Sequence, residues 1–123
     1  MEFSIDGVFE ADLSQDHLLL KFGLMEGGRV QQAIDRSCID WCRMYTPWRT
    51  GNLAMNPYSY TVIGSGLIQY QVPYAKEVYY GEEREEYSKE VNPLAGSYWF
   101  ERAMADHAED VLDEARKAIK WRN

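Results

Sequence analysis

The sequence predicts an α+β domain: a long amphipathic helix and a C-terminal helix packed on a small antiparallel sheet containing a β-hairpin. Three observations predict it. Apolar residues recur at helical spacing over residues 30–45 and again over 100–119. Between them lie two β-rich runs, 58–63 and 67–72, around the glycine-flanked turn Gly64-Ser65-Gly66. The octapeptide Thr46-Pro47-Trp48-Arg49-Thr50-Gly51-Asn52-Leu53 separates the two regimes. Pro47 steers Thr46 away from the helical region and has no amide to donate, so the preceding helix stops there. Gly51 then supplies a positive φ or room for a close backbone approach.

Taken in order, Phe3 and Ile5 alternate as in a short strand or extended arm, broken at Gly7. Asp12 or Ser14 caps a short helix from about Gln15, greasy at Leu18, Leu19, Leu20 and Phe22. Gly27-Gly28 interrupts it, since a glycine pair costs about 2 kcal/mol in a helix relative to alanine. The long helix follows, with Val30, Ile34, Cys38, Trp41, Cys42 and Tyr45 on one stripe. Gln31, Gln32, Asp35, Arg36, Asp40 and Arg43 fall on the other side. After the hairpin, residues 74–81 form a short helix or turn closed by Gly81. Glu82-Glu83-Arg84-Glu85-Glu86 reads as a solvated loop, and Asn92-Pro93 as a turn. Ser97 is placed to cap the last helix, whose buried face is Phe100, Ala103, Met104, His107, Val111, Leu112, Ala115 and Ile119. Acidic residues lead that helix, while Arg116, Lys117, Lys120 and Arg122 close it and complement its dipole.

At 123 residues the chain is read as one domain, residues 1–123, large enough for a core without metal or disulfides. Thirteen basic side chains against twenty acidic give a net charge of −7, which disfavours binding to a phosphate backbone. Neither a membrane-spanning run nor a signal peptide is visible, so the expected setting is the cytosol, with no membrane partner. Aromatics make up 14%, a composition that suits either an aromatic core or an interface.

No group of residues points to catalysis, to a cofactor or to a metal. Cys38 and Cys42 share one helix face without a second pair to complete a zinc site, and read as buried small hydrophobes. His17 and His107 are far apart and outside any triad or HExxH context. Ser65 is accounted for by a hairpin tip, and Gly64-Ser65-Gly66 lacks the Lys-Ser/Thr of a phosphate loop. Glu101 with Asp106 or Glu109 belongs to the exposed side of a helix rather than to a carboxylate pair.

The order of several short motifs does carry a resemblance. A helix ends in Pro47 with Thr50-Gly51-x-Leu53, a hairpin follows, then Tyr74-Ala75 and Tyr80-Gly81, then Trp99-Phe100-Glu101-Arg102-Ala103. From about residue 29 to 110 this resembles the small tailed-phage minor capsid, head–tail joining or tail-completion proteins. Two positions depart from that pattern. Trp48 stands where a small or polar residue is usual, and Tyr79 stands where the family often carries an acid. The resemblance implies an α+β virion subunit of a phage or prophage, at the neck or tail end after a stay in the host cytoplasm. It also implies a homo-oligomeric ring meeting other neck, portal-side or tail proteins, no enzymatic activity, and DNA passing through without specific binding.

The residues suit that picture. A ring needs two different complementary surfaces on each subunit. Trp48, Arg49 and Thr50 on a proline-fixed corner are one candidate contact, and Tyr74, Tyr79 and Tyr80 form a second aromatic patch. Two other readings compete. One is a small acidic interaction or regulatory module, acting as a DNA mimic or partner lure. The other is a hydrolase using Glu77, Glu82 or Glu83 near Tyr79 and Tyr80, which requires a deep pocket with shifted carboxylates.

Overall fold

Two long helices packed against each other form the frame of the described residues. The computed structural model describes residues 1–5, 28–48, 50–81 and 92–120. They form strand β1 (Glu2–Ser4), helix α1 (Arg29–Tyr45), helix α2 (Asn52–Tyr60), strand β2 (Leu67–Gln69), helix α3 (Ala75–Tyr80) and helix α4 (Trp99–Lys120). Four helices on a small two-stranded antiparallel sheet make the α+β class the sequence predicts.

The α1 stripe is buried at Val30, Ile34, Cys38, Cys42 and Tyr45, with Ile39 beside it. It meets Trp99, Phe100, Ala103, Met104, Val111, Leu112 and Ala115 of α4 in one continuous core. Large side chains buried in this way contribute roughly 1.5–3 kcal/mol each. The Cys38 and Met104 sulfurs lie 3.7 Å apart across the seam. At His107 the backbone of α4 leaves helical geometry (φ −127°, ψ 15°). There the imidazole stacks on Trp41 at 3.6 Å between ring centres, 7° from parallel, and its Nδ1 meets Asp110 at 2.8 Å.

The end of α1 is heavily tied. Thr46 is extended (ψ 135°), as a residue before proline should be, and its hydroxyl donates to the Cys42 carbonyl at 2.6 Å. Asn92 Nδ2 donates to the carbonyls of Arg43 and Thr46, at 2.7 and 2.9 Å. The Tyr45 carbonyl accepts from the Gly96 amide and from Arg102 Nη2. Carbonyls that a helix end leaves without partners are thus satisfied by distant parts of the chain.

Three expectations need correction. The hairpin is not local. Tyr58, Ser59 and Tyr60 are the last residues of α2, and β2 pairs with the N-terminus in the register Glu2↔Gln69, Phe3↔Ile68, Ser4↔Leu67. Helix α2 wins over β-propensity because Gly51 starts it and because it buries Leu53, Ala54 and the ring of Pro57. Gln31 and Asp35 are buried rather than solvent-facing. Asp35 Oδ1 accepts from Gln31 Nε2 at 2.9 Å, and its Oδ2 accepts the amides of Gly64 and Gly66 at 2.7 and 3.2 Å. Finally, Ser97 does not cap α4. Its hydroxyl donates to the carbonyls of Val78 and Gly81, so it joins the loop to the end of α3.

The expected helix near Gln15, with Leu18, Leu19, Leu20 and Phe22, lies outside the described residues. So do Gly27, the acidic run 82–86, Arg122 and the side chains of Ile119 and Lys120.

Candidate assembly surface

The corner after α1 is a wedge built from its own residues. Pro47 is buried two residues past the end of α1, and its ring restricts the direction the chain can take there. Trp48 is half-buried and lies over Gly51, which has φ 85°. A Cβ at Gly51 would come within 2.6 Å of the indole Cζ2, so both reasons for a glycine operate there together. The Gly51 carbonyl accepts the Met55 amide at 3.0 Å and begins α2. Thr50 is exposed, and its hydroxyl oxygen accepts the Asn52 amide at 3.3 Å. Asn52 Nδ2 in turn reaches the Tyr74 hydroxyl at 3.5 Å. The structure therefore brings Thr50 and Tyr74 onto one surface, beside the Trp48 wedge. Arg49 lies outside the described residues.

Tyr79 and Tyr80 part company. Tyr80 is 56% exposed, whereas Tyr79 is 1% exposed and stands edge-on to Trp99 at 4.6 Å. Tyr79 is thus a core residue and not a surface contact. Burial pushes its phenol up in pKa. It props Tyr80 and Tyr98 from behind, with ring centres 5.0 and 5.5 Å away. Tyr98, which no sequence motif marks, is exposed and takes φ 54°, unusual for a non-glycine residue. Its amide donates to the Tyr79 carbonyl at 3.0 Å. Tyr80 and Tyr98 flank an open concavity of about 440 Å³ floored by Gly96 and Arg102. The guanidinium there is already committed. Nε, Nη1 and Nη2 donate to the carbonyls of Ser97, Leu94 and Tyr45, and the group lies 5.4 Å from the centre of the Tyr45 ring.

Cys38 and Cys42 are buried free thiols, and burial pushes both well up, away from thiolate reactivity. Among the described residues no three His, Cys, Asp or Glu side chains gather as a metal site. Glu77 is exposed on α3, and Glu82 and Glu83 lie outside the described residues. No described helix is long and apolar enough to cross a membrane.

Residues 25–119 match the family of minor capsid proteins. The chain belongs to that family. The match runs from α1 almost to the end of α4 and includes the corner, α2, β2 and the Tyr80 surface; β1 lies outside it. No curated protein and no solved structure matches the chain. Membership makes the chain a structural component of a phage virion that works against other phage proteins.

Proposed function

We propose that this minor capsid family member is a one-domain subunit of the neck or tail end of a tailed phage or prophage. It assembles into a ring and joins the portal-side or tail proteins next to it. It works without catalysis, and DNA passes through without specific binding. Before assembly it resides in the host cytoplasm.

The observation that carries this reading is the mounting of the corner. Trp48, Thr50 and Tyr74 share a surface that Pro47 and Gly51 hold rigid against α1 and α2. A preorganised aromatic corner loses little entropy on docking, which is what a joining protein needs. The Tyr80/Tyr98 surface supplies a second apolar area on a different part of the chain, as a ring subunit requires. The net charge of −7 suits a channel that polyanionic DNA must leave again.

Three measurements test it. Antibody labelling of purified virions should decorate the neck or tail end; label spread over the capsid shell would overturn the placement. Replacing Trp48 and Arg49 together by alanine should abolish the complex with neighbouring virion proteins, read by native mass spectrometry, while leaving helical content near wild type. Steeply salt-dependent binding of duplex DNA by the purified protein would remove the free-passage part.

A further inference from the structure

A second face, separate from the corner, has the composition of an interface. Arg29, Arg36 and Arg43 are exposed on α1 at seven-residue intervals, so they line up over roughly 21 Å of helix. Asp40 stands among them and accepts the Tyr58 hydroxyl at 2.6 Å. That bond lays the outer side of α2 beside the arginines. Met44 on α1, Met55, Tyr58 and Tyr60 on α2, and Val62 just after α2 are exposed, up to 66% for Val62. Among the described residues neither Arg36 nor Arg43 pairs with a carboxylate. Arginine, tyrosine and methionine are the types concentrated in interface cores.

A face of this charge, in a chain of −7, fits an acidic partner, and the chain carries one on another helix. Helix α4 exposes Asp106, Glu109, Asp110, Asp113 and Glu114 with no Lys or Arg between them. Their internal contacts neutralise them only in part. Arg116 lies 3.1 Å from Asp113 and 3.9 Å from Glu109, Lys117 lies 3.1 Å from Glu114, His107 meets Asp110, and Tyr45 donates to Asp106. Exposed pairs of this kind are weak and exchange readily.

We infer that the arginine–aromatic face of α1 and α2 receives the acidic face of α4 from a second copy. The two faces differ, so the contact is head-to-tail and closes into a ring when its rotation permits. The inference rests on the ring reading above but uses surfaces apart from Trp48, so the two can fail separately.

Sedimentation across protein concentration, up to millimolar, and across salt tests it. Wild type should gain mass with concentration at low salt and fall toward the monomer as salt rises. R36E/R43E and E109K/D110K, each alone, should associate at least about tenfold more weakly. An equimolar mixture should recover, because reversed faces then pair with each other and native faces with native ones. A wild type that stays monomeric, variants that associate like wild type, or a mixture that stays monomeric would each overturn the contact. So would wild-type binding of duplex DNA that R36E/R43E abolishes, which would assign the arginines to nucleic acid. If a reversal variant does not fold by circular dichroism, R36Q/R43Q and E109Q/D110Q replace the pair, with weakening expected in both. Virions that incorporate the charge variants normally but exclude the Trp48 variant would sink this contact and keep the neck reading. Recovery in the mixture, with label away from the neck, would do the reverse.

Discussion

Asp35 Oδ2 accepts the backbone amide of Gly64 at 2.7 Å, inside the molecule and 29 residues away in sequence. The same oxygen takes the Gly66 amide, while Gln31 holds Oδ1. One carboxylate in the second turn of α1 thus fixes the turn that delivers β2 to the sheet. Asp35→Ala leaves two amides and an amide side chain without their acceptor. A loss of about 3 kcal/mol is expected, read by urea unfolding. A change below about 1 kcal/mol would mean that the turn holds itself.

That bond also marks the limit of what was legible in the sequence. Periodicity found both long helices and most of their buried apolar positions, though not Ile39 or Trp99, because burial on a helix face leaves a mark every three or four residues. Asp35 was misplaced because its polarity pointed outward, while the amides that draw it inward belong to a distant turn. Tyr58 and Tyr60 read as strand on propensity, yet Gly51 and the buried Leu53 and Pro57 decide for helix. The partner of β2 was hidden because pairing between Phe3 and Ile68 has no local signal. At the candidate surface the proline–glycine corner was legible, being local backbone chemistry. Which of Tyr79 and Tyr80 faces inward depends on Trp99, and no local pattern announced it.

Gly51→Ala tests the corner directly. The new methyl group would collide with the Trp48 ring, and φ 85° strains any L side chain by roughly 1–2 kcal/mol. The indole should swing outward, seen as a red shift and stronger iodide quenching of tryptophan emission. Binding to neighbouring virion proteins should fall with it. An unchanged spectrum would show that Trp48 is not held by this contact.

Arg102→Lys keeps the charge but loses the fork that reaches the carbonyls of Ser97, Leu94 and Tyr45 together. About 1–2 kcal/mol of stability should be lost. Amide exchange should quicken first at Gly96 and Tyr98, whose bonds to Tyr45 and Tyr79 lie in the same loop. Uniform loss of protection would place Arg102 in the global core instead.

Alkaline pH should unfold the protein earlier than its acidic surface suggests. Burial pushes Tyr45 up to about 12, helped by its hydrogen bond to Asp106, and raises Tyr70 and Tyr79 as well. An unfolded tyrosine ionises near 10. Between those values the unfolded chain releases protons that the folded one retains, so stability is full below about pH 10 and falls as pH rises to about 12. Absorbance at 295 nm should lag behind that of the urea-denatured chain until unfolding and then jump. Overlapping titration curves would rule this out.

Phe3 is the last test, because it shows how a strand of three residues is held. Two-stranded sheets are marginal by themselves, so β1 must draw on side-chain contacts. Phe3 stacks on Phe100 at 4.6 Å, meets Tyr79 at 4.8 Å and stands edge-on to Tyr70 at 5.9 Å, which joins the sheet to α3 and α4. The flanking bond from the Tyr70 amide to the Met1 carbonyl, 2.8 Å, depends on that anchor. Phe3→Ala should cost about 2–3 kcal/mol, somewhat less than for a fully buried ring. Amide protection at Ile5 and Tyr70 should collapse while that of α1 persists. A variant that keeps the protection of Ile5 and Tyr70 would show that the backbone ladder alone secures β1.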